Sequence, residues 1–311
     1  MARRSLRVLF TAVISAVAIT LGAAPSHAAE KIPEGDLPQA LVNYVASPDA
    51  VAGANDWSCK PSKDKPHPVV LLPGTFFNIG VNFVKIAPRL HNEGYCVFAT
   101  NYGMTSVSLG RVGGLKHIPE SAKELDAFVD KVLRATGAEK VDIIGHSQGG
   151  NVPMYWMKKM GNAHKVAHYV GWAPSSHGTS VDGVVTLAHK LRLLGFAMPI
   201  AEVGQIPGVL DQFYTSDYTK ELWADGPEVP VGPKYTVIMS RYDVVVTPYE
   251  TQKLAGRDVN NVVLQERCPQ DPAGHVGLFN DEPTMQLTLN ALADGPKNFQ
   301  PECRGYGLPV L

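Results

Sequence analysis

The sequence predicts an α/β protein, a mostly parallel sheet flanked by helices. Two observations carry this expectation. Short apolar runs rich in β-branched residues alternate with longer segments whose apolar residues recur at helical spacing, as in strand–helix–strand units. One such run, Val141–Asp142–Ile143–Ile144, leads into Gly145–His146–Ser147–Gln148–Gly149–Gly150, where a strand turns sharply into a helix. The 311 residues are enough for one large α/β domain or two smaller ones, and for a substantial core.

The chain opens with Arg3, Arg4 and Arg7, then an apolar run from Val8 to Ala24 and the small-residue pattern Ser26–His27–Ala28. This reads as a cleaved secretory signal over residues 1–28, leaving 29–311 as the working domain. Removing it takes away three arginines and no acids, so 28 Lys+Arg against 29 Asp+Glu becomes 25 against 29. The net charge moves from −1 to −4, and no basic run suits nucleic acid or an anionic membrane surface. No later stretch is long and apolar enough to span a bilayer.

Residues 29–66 are punctuated by Pro and Gly, and no strand is assigned there. Val69–Leu72 is a short buried strand ended by Pro73–Gly74–Thr75, and Asn78 to Asn92 reads as helical. Tyr95 to Thr100 is the next strand, and Ser106 to His117 a glycine-rich loop. From Glu120 to Thr136, Leu125, Phe128, Val129, Val132 and Leu133 keep helical spacing, and Gly137 stops the helix. Later strands are Val166–Trp172, Tyr235–Met239 and Asn261–Glu266, followed by a helix from Pro283 to Asp294. Between them, about Gly178 to Gly232 is too long for an ordinary connection. Its stripe of Val184, Leu187, Ala188, Leu191 and Leu194 fits either a cap over the site or a helix packed permanently on the sheet.

Gly145-x-Ser147-x-Gly149 matters because a serine hydroxyl attacks well only when exposed, beside a base and near amide donors. Such a turn needs residues without Cβ on both sides, and the helix after it offers free N–H groups to a developing anion. The base should lie late in the chain. His275, in Pro272–Ala273–Gly274–His275–Val276–Gly277, follows the last strand and suits the order Ser, Asp, His. His146 adjoins Ser147 and reads as a packing residue. His177 is a secondary candidate for lining the pocket, and His67, His91, His117, His164, His168 and His189 default to surface or core roles. Asp243, just after the strand Tyr235–Met239, is the expected carboxylate partner, with Asp217, Asp225 and Asp271 as rivals. Thr75 and the N–H of Gln148 are the expected oxyanion donors.

Four cysteines in an exported chain suggest disulfides, with three possible pairings. The pairs nearest in sequence, Cys59–Cys96 and Cys268–Cys303, are favoured, the second enclosing His275. No Cys-x-x-Cys spacing argues for a metal site, and none is expected.

Leu71–Leu72–Pro73–Gly74–Thr75, Gly145–His146–Ser147–Gln148–Gly149–Gly150, Tyr242–Asp243 with Val246–Thr247–Pro248, and Cys268–Pro269 through Gly274–His275 occur in that order. Together they resemble the secreted class 2 triacylglycerol lipases of actinobacteria, within the α/β-hydrolase superfamily. Pro73–Gly74–Thr75 and Ser147–Gln148–Gly149–Gly150 are also similar to the fungal lipase B type. The resemblance runs from about Pro66 to the C-terminus. It implies an α/β-hydrolase fold, with residues of about 178–232 as a cap or lid inserted after the sixth strand. It implies Ser147 as nucleophile, Asp243 as acid, His275 as base, Thr75 and Gln148 as oxyanion donors, lipid esters as substrates and no cofactor. A monomer meeting a lipid–water interface is the expected working form. Acyl transfer to an alcohol through the same acyl-enzyme, and cutin or polyester cleavage, are the alternatives.

Overall fold

The computed structural model describes residues 31–193 and 206–309. The expected signal segment, 1–28, and the end of the apolar stripe at Leu194 lie outside the described residues. Among the described residues six strands form one parallel sheet: β1 (Val69–Leu72), β2 (Val97–Ala99), β3 (Val141–His146), β4 (Val166–Trp172), β5 (Lys234–Met239) and β6 (Val259–Val263), in the order β2-β1-β3-β4-β5-β6. The helices are α1 (Leu37–Ala46), α2 (Ile79–Asn82), α3 (Ile86–Asn92), α4 (Ile118–Thr136), α5 (Gln148–Lys158), α6 (Val181–Leu193), α7 (Pro207–Leu210), α8 (Asp217–Trp223), α9 (Leu264–Arg267) and α10 (Glu282–Leu292). Among the described residues no helix is long and apolar enough to cross a membrane.

Strands covered on both faces read as unbroken apolar runs, and β1 is buried along its whole length. Its side chains alternate between two cores. Val69 and Leu71 join α3 and α10 residues such as Ile86, Leu90 and Met285. Val70 and Leu72 join α4 and α5 residues such as Leu125, Val129, Val152 and Trp156. Period-two alternation in the strands thus meets helical stripes on each side. In α4, Ile118, Ala122, Leu125, Val129 and Val132 are buried, and Gly137 ends the helix at φ 77° with its N–H on the Leu133 carbonyl at 2.9 Å.

Some expected boundaries differ. The segment Asn78–Asn92 is two helices rather than one, with a turn at Phe83, because Asn82 is drawn inward to accept the Gly74 N–H at 2.9 Å. Val263 closes β6, and Leu264 onward is α9, so the strand expected at 261–266 ends three residues early. Residues 29–66 supply α1 and no described strand, so the 178–232 segment follows the fourth strand of this sheet, not the sixth. Cysteine pairs 59–96 and 268–303 are disulfide-bonded.

Candidate active site

In a parallel sheet, ligand-contacting residues gather beyond the carboxyl ends of the strands. Thr75 follows β1, Ser147 follows β3, Asp243 follows β5, and His275 lies beyond β6 and α9. Ser147 sits between β3 and α5 with φ 55° and ψ −124°, a conformation an L-residue holds at a cost of about 1–3 kcal/mol. Its N–H is fixed on the Trp172 carbonyl at 2.8 Å. The flanking glycines are required by close approach. A Cβ on Gly145 would strike the Gly149 carbonyl, and one on Gly149 would strike the Leu72 and Pro73 carbonyls of the β1 loop. The two loops are so near that a Cβ on Gly74 would stand 3.2 Å from Ser147 Cβ.

Asp243 and His275 meet. His275 Nδ1 lies 2.7 Å from Asp243 Oδ2, with both side chains almost fully buried. The other carboxylate oxygen, Oδ1, accepts the N–H groups of Val245 and Val246, each at 2.8 Å. Gln252 Nε2 donates to Oδ2 at 2.8 Å. A carboxylate only accepts, so the imidazole proton sits on Nδ1 and the lone pair on Nε2. That nitrogen is buried and has no hydrogen-bond partner among the described residues. The rival aspartates stand elsewhere: Asp217 and Asp225 are exposed, and Asp271 accepts the Ala273 N–H.

Among the described residues the backbone N–H groups of Thr75 and Gln148 donate to no protein acceptor. Both residues are buried, and buried amides without partners are uncommon outside sites that use them. Thr75 Oγ1 accepts from Gln212 Nε2 at 3.0 Å, so the hydroxyl proton remains for another acceptor. The Gln148 side chain instead binds the Gly114 and Gly208 carbonyls, at 3.1 and 2.7 Å.

Three residues near this group were not singled out from the sequence. Gln212 supports Thr75, receiving a hydrogen bond from Ser175 Oγ at 3.0 Å on its other end, and Gln252 supports Asp243. Asn82 ties the Gly74 N–H to the neighbourhood of His146. His146, read as packing, does more. It is fully buried, 3.1 Å from Asn82 Oδ1 and 3.0 Å from the His275 carbonyl, and a neutral ring can donate to one of these at a time. Burial, helped by repulsion from His275, pulls its pKa down to about 3, so it stays uncharged. His177 lies apart, stacked on Trp223 and 3.4 Å from Glu228.

The His275 loop is held at its base by a second device. Asp271 and Asp281 are fully buried, and Asp271 Oδ2 has no hydrogen-bond partner among the described residues. Burial and the charge of Asp271 push Asp281 up to about 7, which favours one shared proton between the two carboxyls below that pH. The Cys268–Cys303 bridge and the Gly274 N–H on the Leu308 carbonyl, 3.2 Å, close the same loop.

The sequence pattern of the family described as Lipase (class 2) matches residues 66–288. The chain is 32% identical over 119 residues to a triacylglycerol lipase of Burkholderia plantarii, which covers 37% of this chain and 30% of that protein. The chain therefore spans under a third of that relative's length. Among solved structures, Aspergillus fumigatus lipase B superposes with a TM-score of 0.59 at 18% identity, over 80% of this chain and 56% of that one. A structure described under LipS and LipT, two metagenome-derived lipolytic enzymes, gives 0.53 at 13% identity over 79% and 99%. These similarities establish an α/β-hydrolase fold.

Proposed function

Because the chain belongs to the class 2 lipase family, we propose that it is an extracellular serine hydrolase cleaving carboxylic esters of lipids through an acyl-enzyme on Ser147. The observation that carries this reading is the 2.7 Å contact between His275 Nδ1 and Asp243, which leaves Nε2 buried with a free lone pair. Ser147 is buried, and the strained turn that holds it between β3 and α5 supports its assignment as the nucleophile.

In the proposed reaction, Ser147 Oγ bonds to the ester carbonyl carbon while His275 Nε2 takes the hydroxyl proton. The carbonyl oxygen becomes an oxyanion, stabilised by the N–H groups of Thr75 and Gln148 and by the Thr75 hydroxyl. Collapse breaks the bond to the alcohol oxygen, which receives the proton from the imidazolium, and the acyl group stays on Ser147. Water then attacks this ester by the same route, releasing the carboxylic acid and restoring the serine. Asp243 holds the ring in the required tautomer throughout. Two disulfides support export to an oxidising compartment.

An alkyl fluorophosphonate should label the protein at one equivalent, on Ser147. Ser147→Ala should abolish labelling and lower turnover of p-nitrophenyl esters by roughly 10⁵–10⁶-fold. Wild-type turnover in that variant would overturn the assignment, and rates across acyl lengths would define the preferred ester.

A further inference from the structure

The opposite end of the sheet holds a second cluster. Asp142, His168 and Lys234 stand side by side in the registers of β3, β4 and β5, and His67 lies two residues before β1, whose Val69 pairs with Asp142. Asp142 Oδ1 is 2.8 Å from His168 Nδ1 and 3.5 Å from His67 Nδ1. One donor atom from each of the three residues lies within 4.8 Å of the other two. The cluster is about 16 Å along β3 from Ser147, taking five residues at strand rise.

We propose that His67, Asp142 and His168 form a binding site for a divalent first-row transition metal, Zn²⁺ by the chemistry of the set. Two imidazoles and one carboxylate, with a fourth position left to water, are the donors of an open zinc site. Tetrahedral bonds of about 2.0–2.2 Å put ligand atoms about 3.3 Å apart, so the His168–Asp142 pair need only widen slightly.

Two independent features favour a metal over a plain ion pair. His168 Nε2 lies 3.0 Å from Asp294 Oδ1, which Lys234 also engages. A ligating histidine that gives its far N–H to a carboxylate is the usual outer arrangement of a metal site, fixing tautomer and ring orientation. A cavity of about 480 Å³ opens over the cluster, lined by Pro66, Glu139, Lys140 and Gly232 as well, and provides entry for the ion and its water. His67 is partly exposed to it, whereas Asp142 is buried.

Burial lowers both imidazoles, but at His168 the Asp142 and Asp294 hydrogen bonds outweigh it and raise the pKa, while at His67 burial prevails. Glu139, Asp294, Lys140 and Lys234 are the remaining charged groups facing the cavity.

The full chain, free of any affinity tag, would be titrated with Zn²⁺ by calorimetry and with Co²⁺ by visible absorption. One saturable equivalent, with the absorption of tetrahedral Co²⁺ and a Zn²⁺-dependent rise in Tm, is expected. His67→Gln and Asp294→Asn should each weaken binding by about 10–100-fold. His67 lies outside the strands, so its substitution tests the site even where His168→Gln fails to fold. No saturable binding by the wild type, or equal affinity in His67→Gln, would overturn the proposal.

Discussion

Asp243→Asn tests the tautomer argument most sharply, because the structure dictates how the new amide must lie. Oδ1 accepts two backbone N–H groups, from Val245 and Val246. The oxygen of the introduced amide must keep that position, since its NH₂ there would face two donors. The NH₂ therefore turns toward His275 Nδ1 and Gln252. Gln252 can adapt, because its Oε1 is buried without a partner and would accept one hydrogen after an amide flip. The second hydrogen goes to His275 Nδ1, which must then be an acceptor and send its proton to Nε2. An imidazole protonated at Nε2 cannot take the Ser147 proton. The expected loss is about 10⁴-fold in kcat, or about 5 kcal/mol, with the fold retained and Tm lowered modestly, because the flipped Gln252 leaves the Val246 carbonyl and turns its NH₂ to a buried position with no acceptor. Steady-state ester hydrolysis and the rate of fluorophosphonate labelling should fall together. A variant within tenfold of wild type in both assays would refute the tautomer argument.

Two further outcomes follow from the same neighbourhood. Thr75→Val should lower kcat by about 10²–10³-fold with little change in KM, and Thr75→Ser should restore most of it; unchanged kcat in Thr75→Val would remove the hydroxyl from the oxyanion site. Asp281, held up to about 7 by burial and by Asp271, keeps a proton that the unfolded chain gives up near the ordinary aspartate value of about 3.9. The folded state thus binds more protons, and this contribution is complete below about pH 4 and is lost as pH rises through about 7. Asp271→Asn can donate permanently to Asp281, so melting curves from pH 5 to 8 should show the variant gaining on the wild type by on the order of 2–4 °C; parallel curves would count against the shared proton.

The sequence was most legible where burial is two-sided. β1 is an unbroken apolar run ended by Pro73, and β3 and β4 are apolar apart from Asp142, His146 and His168, so their positions are readable from the sequence. Legibility failed where apolar character crosses a boundary unmarked, as at Val263–Leu264, where the strand becomes a helix with no punctuating residue. The proposed reacting groups were readable because few residue types can perform their chemistry and their chain order is constrained. Their supports were not. Gln212, Gln252 and Asn82 are ordinary amides in sequence, and only the fold reveals that each holds one end of a functional loop. The His67–Asp142–His168 cluster was hidden for the same reason, since strand register brings together residues 75 and 26 positions apart.

Gln212 belongs to the long excursion between β4 and β5, yet it grips Thr75, while Gly208 nearby receives the Gln148 amide. A flap bolted to the hearth cannot be lifted without disturbing the fire. Residues 206–213 are thereby tied to the body of the protein, and in the proposed reaction admission of a bulky ester would be governed by a neighbouring stretch. Engineering aimed at wider access would do well to leave this anchor alone and alter what surrounds it.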